Sequence, residues 1–266
     1  MLKWLAAARA VKLSVIIPAC NEEGSVEQTL RALLEELHAA QIPSEIVVVD
    51  DGSTDATAAR VRTVAAAFPE VRLVANEGRH GFGMAVRTGL ARATGDALAV
   101  MMADGSDHPA DAVTYYRKLA EGYDCVFGSR FIRGGRVVDY PHHKLVLNRL
   151  ANWFIEALFG IRYNDTTNAF KCYRRRVIEG IQPIISPHFN LTVEMPLKAI
   201  VRGYSFAVVP ICWTNRKAGI SKLKIREMGS RYLFIILYLW LEKTLARGDY
   251  HRRHGGEDAA AGTVHV

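Results

Sequence analysis

The chain has 266 residues, of which 50% are hydrophobic and 23% are charged, so it can bury a sizeable core, and general disorder is excluded. Its four cysteines are scattered without a C-x-x-C pair, which argues against a disulfide framework or a zinc ribbon and indicates reduced thiols. Residues 1–129 carry a net charge of −5 and residues 130–266 a net charge of +12. The basic half favours an anionic partner, such as nucleic acid, anionic lipid or a phosphorylated small molecule.

The sequence contains no apolar run of 18 residues, so no segment is predicted to cross a bilayer. The first residues, "MLKWLAAARAVKLSVIIPACNEE", combine a lysine and a short apolar stretch but continue directly into a predicted core strand. That continuation argues against a cleaved signal peptide.

The first half of the chain alternates buried-strand patterns with helical patterns. In chain order they are the strand "KLSVIIPA", the helix "EEGSVEQTLRALLEELHAA", the strand "SEIVVVDDGS", the helix "TDATAARVRTVAAAFP", the strand "VRLVAN", the helix "GMAVRTGLARATG" and the strand "DALAVMMAD". This alternation predicts an α/β fold with a mostly parallel central sheet flanked by helices. In such a sheet, ligands bind at the carboxyl ends of the strands.

Polar residues follow all four of these predicted strands. They are Asn21 and Glu22, Asp50 and Asp51, Asn76, and Asp104. Turns favour Asp, Asn and Gly in any case, but four strand ends in register predict one polar crevice.

The pattern loosens after residue 125. The segments are a strand in "DCVFGSRF", an apolar-rich helix in "HKLVLNRLANWFIEALFG", the stretch "NDTTNAFKCYRRRVIEGI", a strand in "YSFAVVPICWTNR", a basic loop in "KAGISKLKIREMG" and an apolar helix in "SRYLFIILYLWLEKTL". The polar, Gly- and Ala-rich residues 247–266 are expected to be disordered.

Two common nucleotide-binding motifs do not fit this chain. A dinucleotide-binding fold needs a glycine-rich turn after its first strand, where this chain has "PACNEE". The later "GRHGFGMAVRTG" lacks both the dinucleotide spacing and the Lys-Ser/Thr of a P-loop. We interpret it as a tight turn followed by a helix start.

Three carboxylates gather after the fourth predicted strand, in "VMMADGSDHPAD": Asp104, Asp107 and Asp111. Hard oxygen ligands suit Mg²⁺ or Mn²⁺, and an ion held in this way usually bridges the phosphates of a substrate. The basic second half of the chain would meet the same phosphates. A nucleoside diphosphate substrate therefore satisfies both halves of the charge asymmetry.

Seven motifs occur in order between about residue 13 and residue 226: "LSVIIPACNEEGSV", "IVVVDDGSTDAT", "GFGMAVRTGLARATGD", "MMADGSDHP", "FGSRFIRGG", "DTTNAFKCYRR" and "NRKAGISKLK". Together they resemble the family 2 inverting glycosyltransferases with the GT-A fold, and most of all the polyprenyl-phosphate sugar transferases related to dolichyl-phosphate mannosyltransferase. The resemblance implies a GT-A domain over residues 1–226. It also implies C-terminal interfacial amphipathic helices, with an apolar membrane-interfacial helix over residues 227–246.

The resemblance also implies a set of donor-binding residues. Cys20 stands where the family usually has a tyrosine, so the contacts to ribose and base are expected to differ. The candidate residues for binding the nucleotide sugar are Pro18, Cys20, Glu22, Val49, Asp51, Met102, Ala103 and Ser106.

The metal-binding D-x-D motif of the family is altered in this chain. Asp104 matches its last carboxylate, whereas Met102 replaces the first and Ser106 replaces a polar residue that often completes the site. Asp107 is the natural substitute. The resemblance therefore implies a Mg²⁺ or Mn²⁺ cofactor held by Asp104 and Asp107, because Mg²⁺ takes only one or two protein carboxylates and keeps several waters. Asp107 could equally cap the following helix.

For the reaction, the resemblance implies attack by a lipid phosphate oxygen on the anomeric carbon of a nucleotide sugar. A phosphate monoester has a second pKa of about 6 and is already anionic at neutral pH, so no catalytic base is required. The candidate catalytic residues are Asp104, which would act through the ion that it holds, and three cations, Arg130, Arg216 and Lys222, which would neutralise charge on the departing diphosphate. Lys171 is left open between phosphate binding and a structural role.

The two apolar helices, which carry Trp153 and Trp240, suit a membrane interface, although they could instead pack on the core or on another subunit. Basic residues beside the second helix favour an anionic membrane surface; they are Lys222, Lys224, Arg226 and Arg231. The expected partners are a nucleotide-diphosphate sugar (GDP-mannose or a UDP-sugar), polyprenyl phosphate and the cytoplasmic face of a membrane. A homo-oligomer or a membrane subunit is left open. Nucleic acid is not expected, because no recognised module or interleaved aromatics accompany the arginines at 174–176.

Two alternative functions are left open at this point. The acceptor could be a growing glycan or a small molecule on the same fold. The protein could also be a non-catalytic homologue that binds a nucleotide sugar and has lost the first carboxylate of the D-x-D motif.

Overall fold

The computed structural model describes residues 11–215 and 225–252, with the backbone alone for residues 225–228. The strands in this part of the chain are β1 Leu13–Ala19, β2 Ser44–Asp50, β3 Val71–Ala75, β4 Ala97–Val100, β5 Cys125–Ser129, β6 Arg136–Val138, β7 Lys171–Arg174, β8 Phe206–Pro210 and β9 Cys212–Thr214. The helices are α1 Val26–Ala39, α2 Thr57–Ala67, α3 Phe82–Arg92, α4 Ala110–Ala120, α5 His142–Phe159, α6 Arg175–Gly180, α7 Leu191–Val201 and α8 Ile225–Leu245.

Seven strands form one mixed sheet in the order β3-β2-β1-β4-β7-β5-β8. Strands β1 to β4 are parallel to one another, as are β5 and β8, whereas β7 runs antiparallel between β4 and β5. The predicted mostly parallel sheet is therefore confirmed. Every residue of β1 is buried, as expected for a strand covered on both faces.

Helices cover both faces of this sheet because alternate strand residues point to opposite sides. On one face, Val15 and Ile17 belong to a core cluster with residues of α1, α2 and α4. On the other face, Ile16 packs in a cluster with residues of α3, α6 and α7. A Cβ atom at Gly89 of α3 would lie 2.4 Å from the Ile16 Cγ2, so a glycine there lets α3 approach the sheet closely.

Helices α5, α7 and α8 form a third cluster beside the sheet. Its buried residues include Ile155 of α5, Leu197 of α7 and Leu239 of α8. The apolar helix predicted at residues 227–246 overlaps α8, which begins at Ile225 and ends at Leu245. Among residues 11–215 and 225–252, no helix has the length and hydropathy needed to cross a bilayer.

Two expectations differ from the structure. The segment "YSFAVVPICWTNR", predicted as one strand, forms β8 in the main sheet and β9 in a separate ribbon with β6. The change of partner falls at Ile211, whose N–H still donates to the Ser129 carbonyl of β5 at 3.1 Å while its own carbonyl accepts the Arg136 N–H of β6 at 2.9 Å. The tail expected to be disordered from residue 247 is in place up to Arg252, whose guanidinium lies 2.7 Å from the buried carboxylate of Asp124. Later residues lie outside the described range.

Candidate active site

A cleft of about 760 Å³ opens at the carboxyl ends of β1, β2 and β4, where the sequence predicted a crevice. Residues of β1 and the loops after β2 and β4 line its polar end, and α5 and α8 line the other side. Nine of the predicted site residues line this cleft: Pro18, Cys20, Glu22, Asp51, Met102, Asp104, Ser106, Asp107 and Arg130.

Two predicted donor-binding residues do not line the cleft. The Val49 side chain is fully buried in the cluster beneath α3, and Ala103 is only 2% exposed. Strand alternation places the Val49 side chain on the face of the sheet that α3 covers, where it packs in the core. The predicted catalytic cations Arg216 and Lys222 lie outside the described residues. The same is true of Lys224 and of the side chain of Arg226.

The carboxylate of Asp51 is fixed by three neighbours at the polar end of the cleft. The Asn76 side-chain amide donates to Oδ1 at 2.6 Å, and the Gly81 backbone N–H donates to Oδ2 at 2.8 Å. The His80 Nδ1 atom lies 3.0 Å from Oδ1. Asp51 is thereby presented to the cleft in one orientation.

The turn after β4 brings two buried carboxylates together. Asp104 Oδ1 accepts the Ser106 backbone N–H at 3.0 Å, and Asp107 Oδ2 accepts the Met102 N–H at 3.0 Å. Gly105 has a φ of 71°, a conformation that suits glycine. Burial, together with repulsion from Asp104, raises the pKa of Asp107 to about 7. This turn therefore concentrates negative charge that a cation would relieve.

The donor atoms in this turn fit a hard divalent cation. The Ser106 hydroxyl is buried and has no hydrogen-bond partner among the described residues, and it lines the cleft together with Asp104 and Asp107. Carboxylate and hydroxyl oxygens suit Mg²⁺ and Mn²⁺. In the described part of the chain, no group of three or more His, Cys, Asp or Glu side chains is arranged to hold a metal. Such an ion would therefore keep water ligands or take them from a substrate.

Arg130 lies in the cleft wall but is held by a second residue. Its Nε and Nη2 donate to the Asp165 carboxylate at 2.8 and 2.6 Å, and its backbone N–H donates to the same carboxylate at 2.9 Å. Both side chains are almost fully buried. Asp165 was not singled out from the sequence, because 35 residues separate it from Arg130.

Lys171 lies behind this wall and does not line the cleft. Its ammonium group donates to the backbone carbonyls of Thr166, Asn168 and Thr192. Burial lowers the pKa of Lys171 to about 7, although the charge of Asp165 opposes this effect. Of the two roles left open for Lys171, these contacts correspond to the structural one.

The cleft contains functional groups that the sequence analysis missed. Lys144 and Asn148, one turn apart on α5, line it, as does His188. Arg231, which the sequence analysis assigned to a membrane surface, also lines the cleft. Lys144 forms no ion pair with any carboxylate in the described segments. The sequence pattern that could have identified Lys144 is its position in the first turn of a predicted helix. It shares i, i+3, i+4 and i+7 spacing with the cleft residues Leu147, Asn148 and Ala151.

The cleft becomes apolar away from the carboxylates. Leu147, Ala151 and Phe154 of α5 line this end together with Leu233 of α8. It continues onto exposed apolar side chains of the same two helices, which include Val146, Leu150, Trp153, Phe234, Leu237 and Leu241. Trp153 and Phe234 are 66% and 61% exposed.

The chain is similar to one known protein family and to two named proteins. Residues 14–181 match the family model described as glycosyl transferase family 2. The chain is 34% identical over 222 residues to polyprenol monophosphomannose synthase of Mycolicibacterium smegmatis, covering 80% of this chain and 82% of that protein. It is 32% identical over 219 residues to dolichol-phosphate mannosyltransferase of Pyrococcus furiosus, covering 80% of this chain but 60% of that protein.

Solved structures show the same fold. Glucosyl-3-phosphoglycerate synthase from Mycobacterium tuberculosis, in complex with Mn²⁺, uridine diphosphate and glucosyl-3-phosphoglycerate, superposes with a TM-score of 0.67. The match covers 88% of this chain and 80% of that chain at 19% identity. This likeness confirms the predicted GT-A fold.

Proposed function

The chain belongs to glycosyl transferase family 2 and is a glycosyltransferase, and from this premise we propose that it transfers a hexose from a nucleotide-diphosphate sugar to a polyprenyl phosphate, with inversion at the anomeric carbon. The names of the two relatives support mannose as the hexose and a polyprenyl or dolichyl phosphate as the acceptor. GDP-mannose or a UDP-sugar is the proposed donor.

The observation that carries this proposal is the gradient of polarity along one cleft. Carboxylates from the loops after β2 and β4 line one part of it, the cations Arg130 and Lys144 line the same cavity, and apolar side chains of α5 and α8 line the rest. A nucleotide sugar suits the first part, and a lipid phosphate suits the other two. A soluble acceptor would not need the apolar groove.

At the donor end, Asp51 and Glu22 are proposed to bind the nucleoside, and Cys20 leaves more room there than the tyrosine usual in the family. Asp104, Asp107 and the Ser106 hydroxyl are the residues that would hold Mg²⁺ or Mn²⁺. Such an ion supplies positive charge that neutralises the diphosphate as it departs. The remaining steps rest on the chain's own residues.

At the acceptor end, Lys144 is proposed to bind the lipid phosphate and to aim one of its oxygens at the anomeric carbon. This phosphate is anionic at neutral pH and needs no base to remove a proton. Arg130 would stabilise negative charge on the phosphates, together with the two other predicted catalytic cations, Arg216 and Lys222. Alignment and charge neutralisation then supply the catalysis.

The exposed apolar face of α5 and α8 is proposed to lie in the surface of a membrane, on its cytoplasmic side. Its aromatic and leucine side chains are exposed on the same two helices that line the apolar part of the cleft. A polyprenyl chain could then pass from the bilayer into the groove without crossing water. Large exposed apolar patches of this kind mark interaction sites.

The experiment that tests this function combines purified protein, a panel of radiolabelled nucleotide sugars, polyprenyl phosphate, and Mg²⁺ or Mn²⁺. The proposal expects label from one donor to enter the organic phase as a lipid product. Label transferred only to a water-soluble acceptor would instead support a glycan or small-molecule acceptor. Nucleotide binding without metal dependence or turnover in calorimetry would support a non-catalytic homologue.

A further inference from the structure

The guanidinium of Arg130 has one edge occupied and one edge free. Asp165 accepts hydrogen bonds from Nε and Nη2, whereas Nη1 makes no hydrogen bond to any residue in the described ranges. The rings of Phe131, Tyr140 and Trp213 lie 5.2, 5.6 and 5.8 Å from the guanidinium carbon. Carboxylate and rings together fix both the position and the plane of this cation.

The segment that carries Asp165 is itself held firmly. The Asn152 side-chain oxygen accepts the Thr166 backbone N–H at 2.6 Å and the Thr166 hydroxyl at 2.7 Å. Lys171 holds the carbonyls of Thr166 and Asn168 from behind. The Asp165 carboxylate is fully buried. It therefore cannot follow Arg130 if the arginine turns.

We propose that Asp165 is a positioning residue, which orients Arg130 so that its free Nη1 edge meets a substrate phosphate in the cleft. This inference rests on the proposed function, in which phosphates lie beside Arg130. Asp165 does not line the cleft, and both of its carboxylate oxygens accept hydrogen bonds from Arg130. It is therefore placed to act through the arginine and not as a base on the acceptor.

A guanidinium fixed along one edge is a better anion site than a mobile one, because little side-chain entropy is lost when the phosphate binds. Asp165→Asn keeps the shape of the side chain but sets an amide NH₂ group against the arginine donors. We expect Arg130 to turn away from its present orientation in this variant. Affinity for a phosphate ligand should then fall, although Arg130 is still present.

The test measures binding of inorganic pyrophosphate by calorimetry, in wild-type protein and in Asp165→Asn, Arg130→Lys and the double variant. The expected result is at least about tenfold weaker binding in each single variant and no further loss in the double variant, since the two residues act as one unit. Wild-type affinity in Asp165→Asn, additive losses, or no binding to wild-type protein would each overturn the inference.

A second measurement separates positioning from folding. In Arg130→Ala, added methylguanidinium should restore pyrophosphate binding, because Asp165 can hold the free cation in the vacated place. In Arg130→Ala/Asp165→Asn the same additive should restore nothing. Equal rescue in both variants would show that Asp165 does not position the cation.

A matched control is available in the buried pair of Arg202 and Glu242, whose bonds are 2.8 and 3.1 Å long. We expect both Glu242→Gln and Asp165→Asn to lower the melting temperature, but only Asp165→Asn to weaken pyrophosphate binding. The lipid-product assay is scored separately. Asp165-dependent pyrophosphate binding without any lipid product would refute the acceptor assignment and leave this inference standing.

Discussion

The ring of Phe82, at the start of α3, stacks on the ring of Phe189 with 4.4 Å between their centroids and 13° between their planes. Both residues line the cleft. The stack joins the acidic first half of the chain to the basic second half at the place where substrates are proposed to bind. The acidic half and the basic half of the chain thus line the same cavity.

Close backbone contact accompanies this stack. The Gly83 and Met84 N–H groups lie 3.1 and 3.3 Å from the Pro187 carbonyl oxygen. A Cβ atom at Gly83 would lie 2.2 Å from the Ser186 carbonyl oxygen. The glycine-rich segment, interpreted from the sequence as a tight turn followed by a helix start, therefore also brings the two halves of the chain together at Gly83.

Replacing Asp104 tests the donor end of the cleft. Asp104→Asn removes a charge from the candidate metal-binding turn, and we expect turnover to fall by at least about 100-fold, as when a group that stabilises developing charge is lost. The measurement is lipid-product formation with Mg²⁺ or Mn²⁺ in excess. Asp96→Asn, next to the opposite end of β4, is the control and should retain activity. Normal turnover by Asp104→Asn would contradict the assignment.

Replacing Lys144 tests the acceptor end. Lys144→Met keeps the apolar stem but removes the charge, and the loss of one charged hydrogen bond of about 1.5–3 kcal/mol should raise the KM for polyprenyl phosphate by about tenfold or more. The KM for the nucleotide sugar should stay near the wild-type value. Lys118→Met is the control, because Lys118 pairs with Glu121 on the outer surface of α4. Equal changes in both KM values would argue against a role specific to the acceptor.

The helices and strands that depend on local sequence patterns could be predicted from the sequence. Strands β1 to β4 and helices α1 to α3 follow hydrophobic periodicity, and parallel strands in register bring Asp51 and Asp104 to the same edge of the sheet. The path of the chain between distant elements leaves no such pattern. The antiparallel insertion of β7 between β4 and β5, and the division of one apolar run at Pro210, depend on pairing partners far apart in sequence.

The same limit explains the site. Arg130 was identified from its motif, but its partner Asp165 is 35 residues away and could be recognised only in three dimensions. Val49 was carried over from a family motif, and strand alternation in "IVVVDD" would have placed its side chain in the core. Lys144 was missed because a single lysine at a helix start is common on protein surfaces.

The exposed face of α5 and α8 can be tested with acidic liposomes. Wild-type protein should float with the vesicles, whereas Trp153→Glu/Phe234→Glu should remain in the soluble fraction, because each aromatic side chain contributes about 1.5–3 kcal/mol when it is buried. Tyr123→Glu, at a 37% exposed position after α4, should float like wild type. Wild-type protein that remains entirely in the soluble fraction would contradict the proposed membrane binding.

Glu45 provides a test of stability against pH. Burial opposes its ionisation, but hydrogen bonds from Ser14 and Thr94 and the charge of Arg72 lower the pKa of Glu45 to about 2. Because the pKa of Glu45 is lower in the folded protein than its value of about 4.5 in the unfolded chain, ionised Glu45 stabilises the fold above about pH 4.5. This stabilisation is lost as the pH falls through the folded-state pKa of about 2. At neutral pH the contribution is on the order of 3 kcal/mol.

Glu45→Gln should therefore lower the free energy of unfolding at pH 7, and the difference from wild type should shrink as pH falls from about 4.5 towards 2. Urea unfolding at a series of pH values measures it. Glu35→Gln, at an exposed position of α1, is the control and should show no such trend. A difference that is constant with pH would mean that Glu45 acts through packing alone.

The most direct measurement is a crystal structure with the nucleoside diphosphate of the active donor, Mn²⁺ and a short polyprenyl phosphate, in which anomalous scattering locates the manganese. We expect a manganese peak beside the Asp104 carboxylate, next to the diphosphate. We also expect the lipid phosphate within reach of Lys144 and its chain between α5 and α8. An empty cleft, or manganese and phosphate bound away from these side chains, would contradict the proposed function.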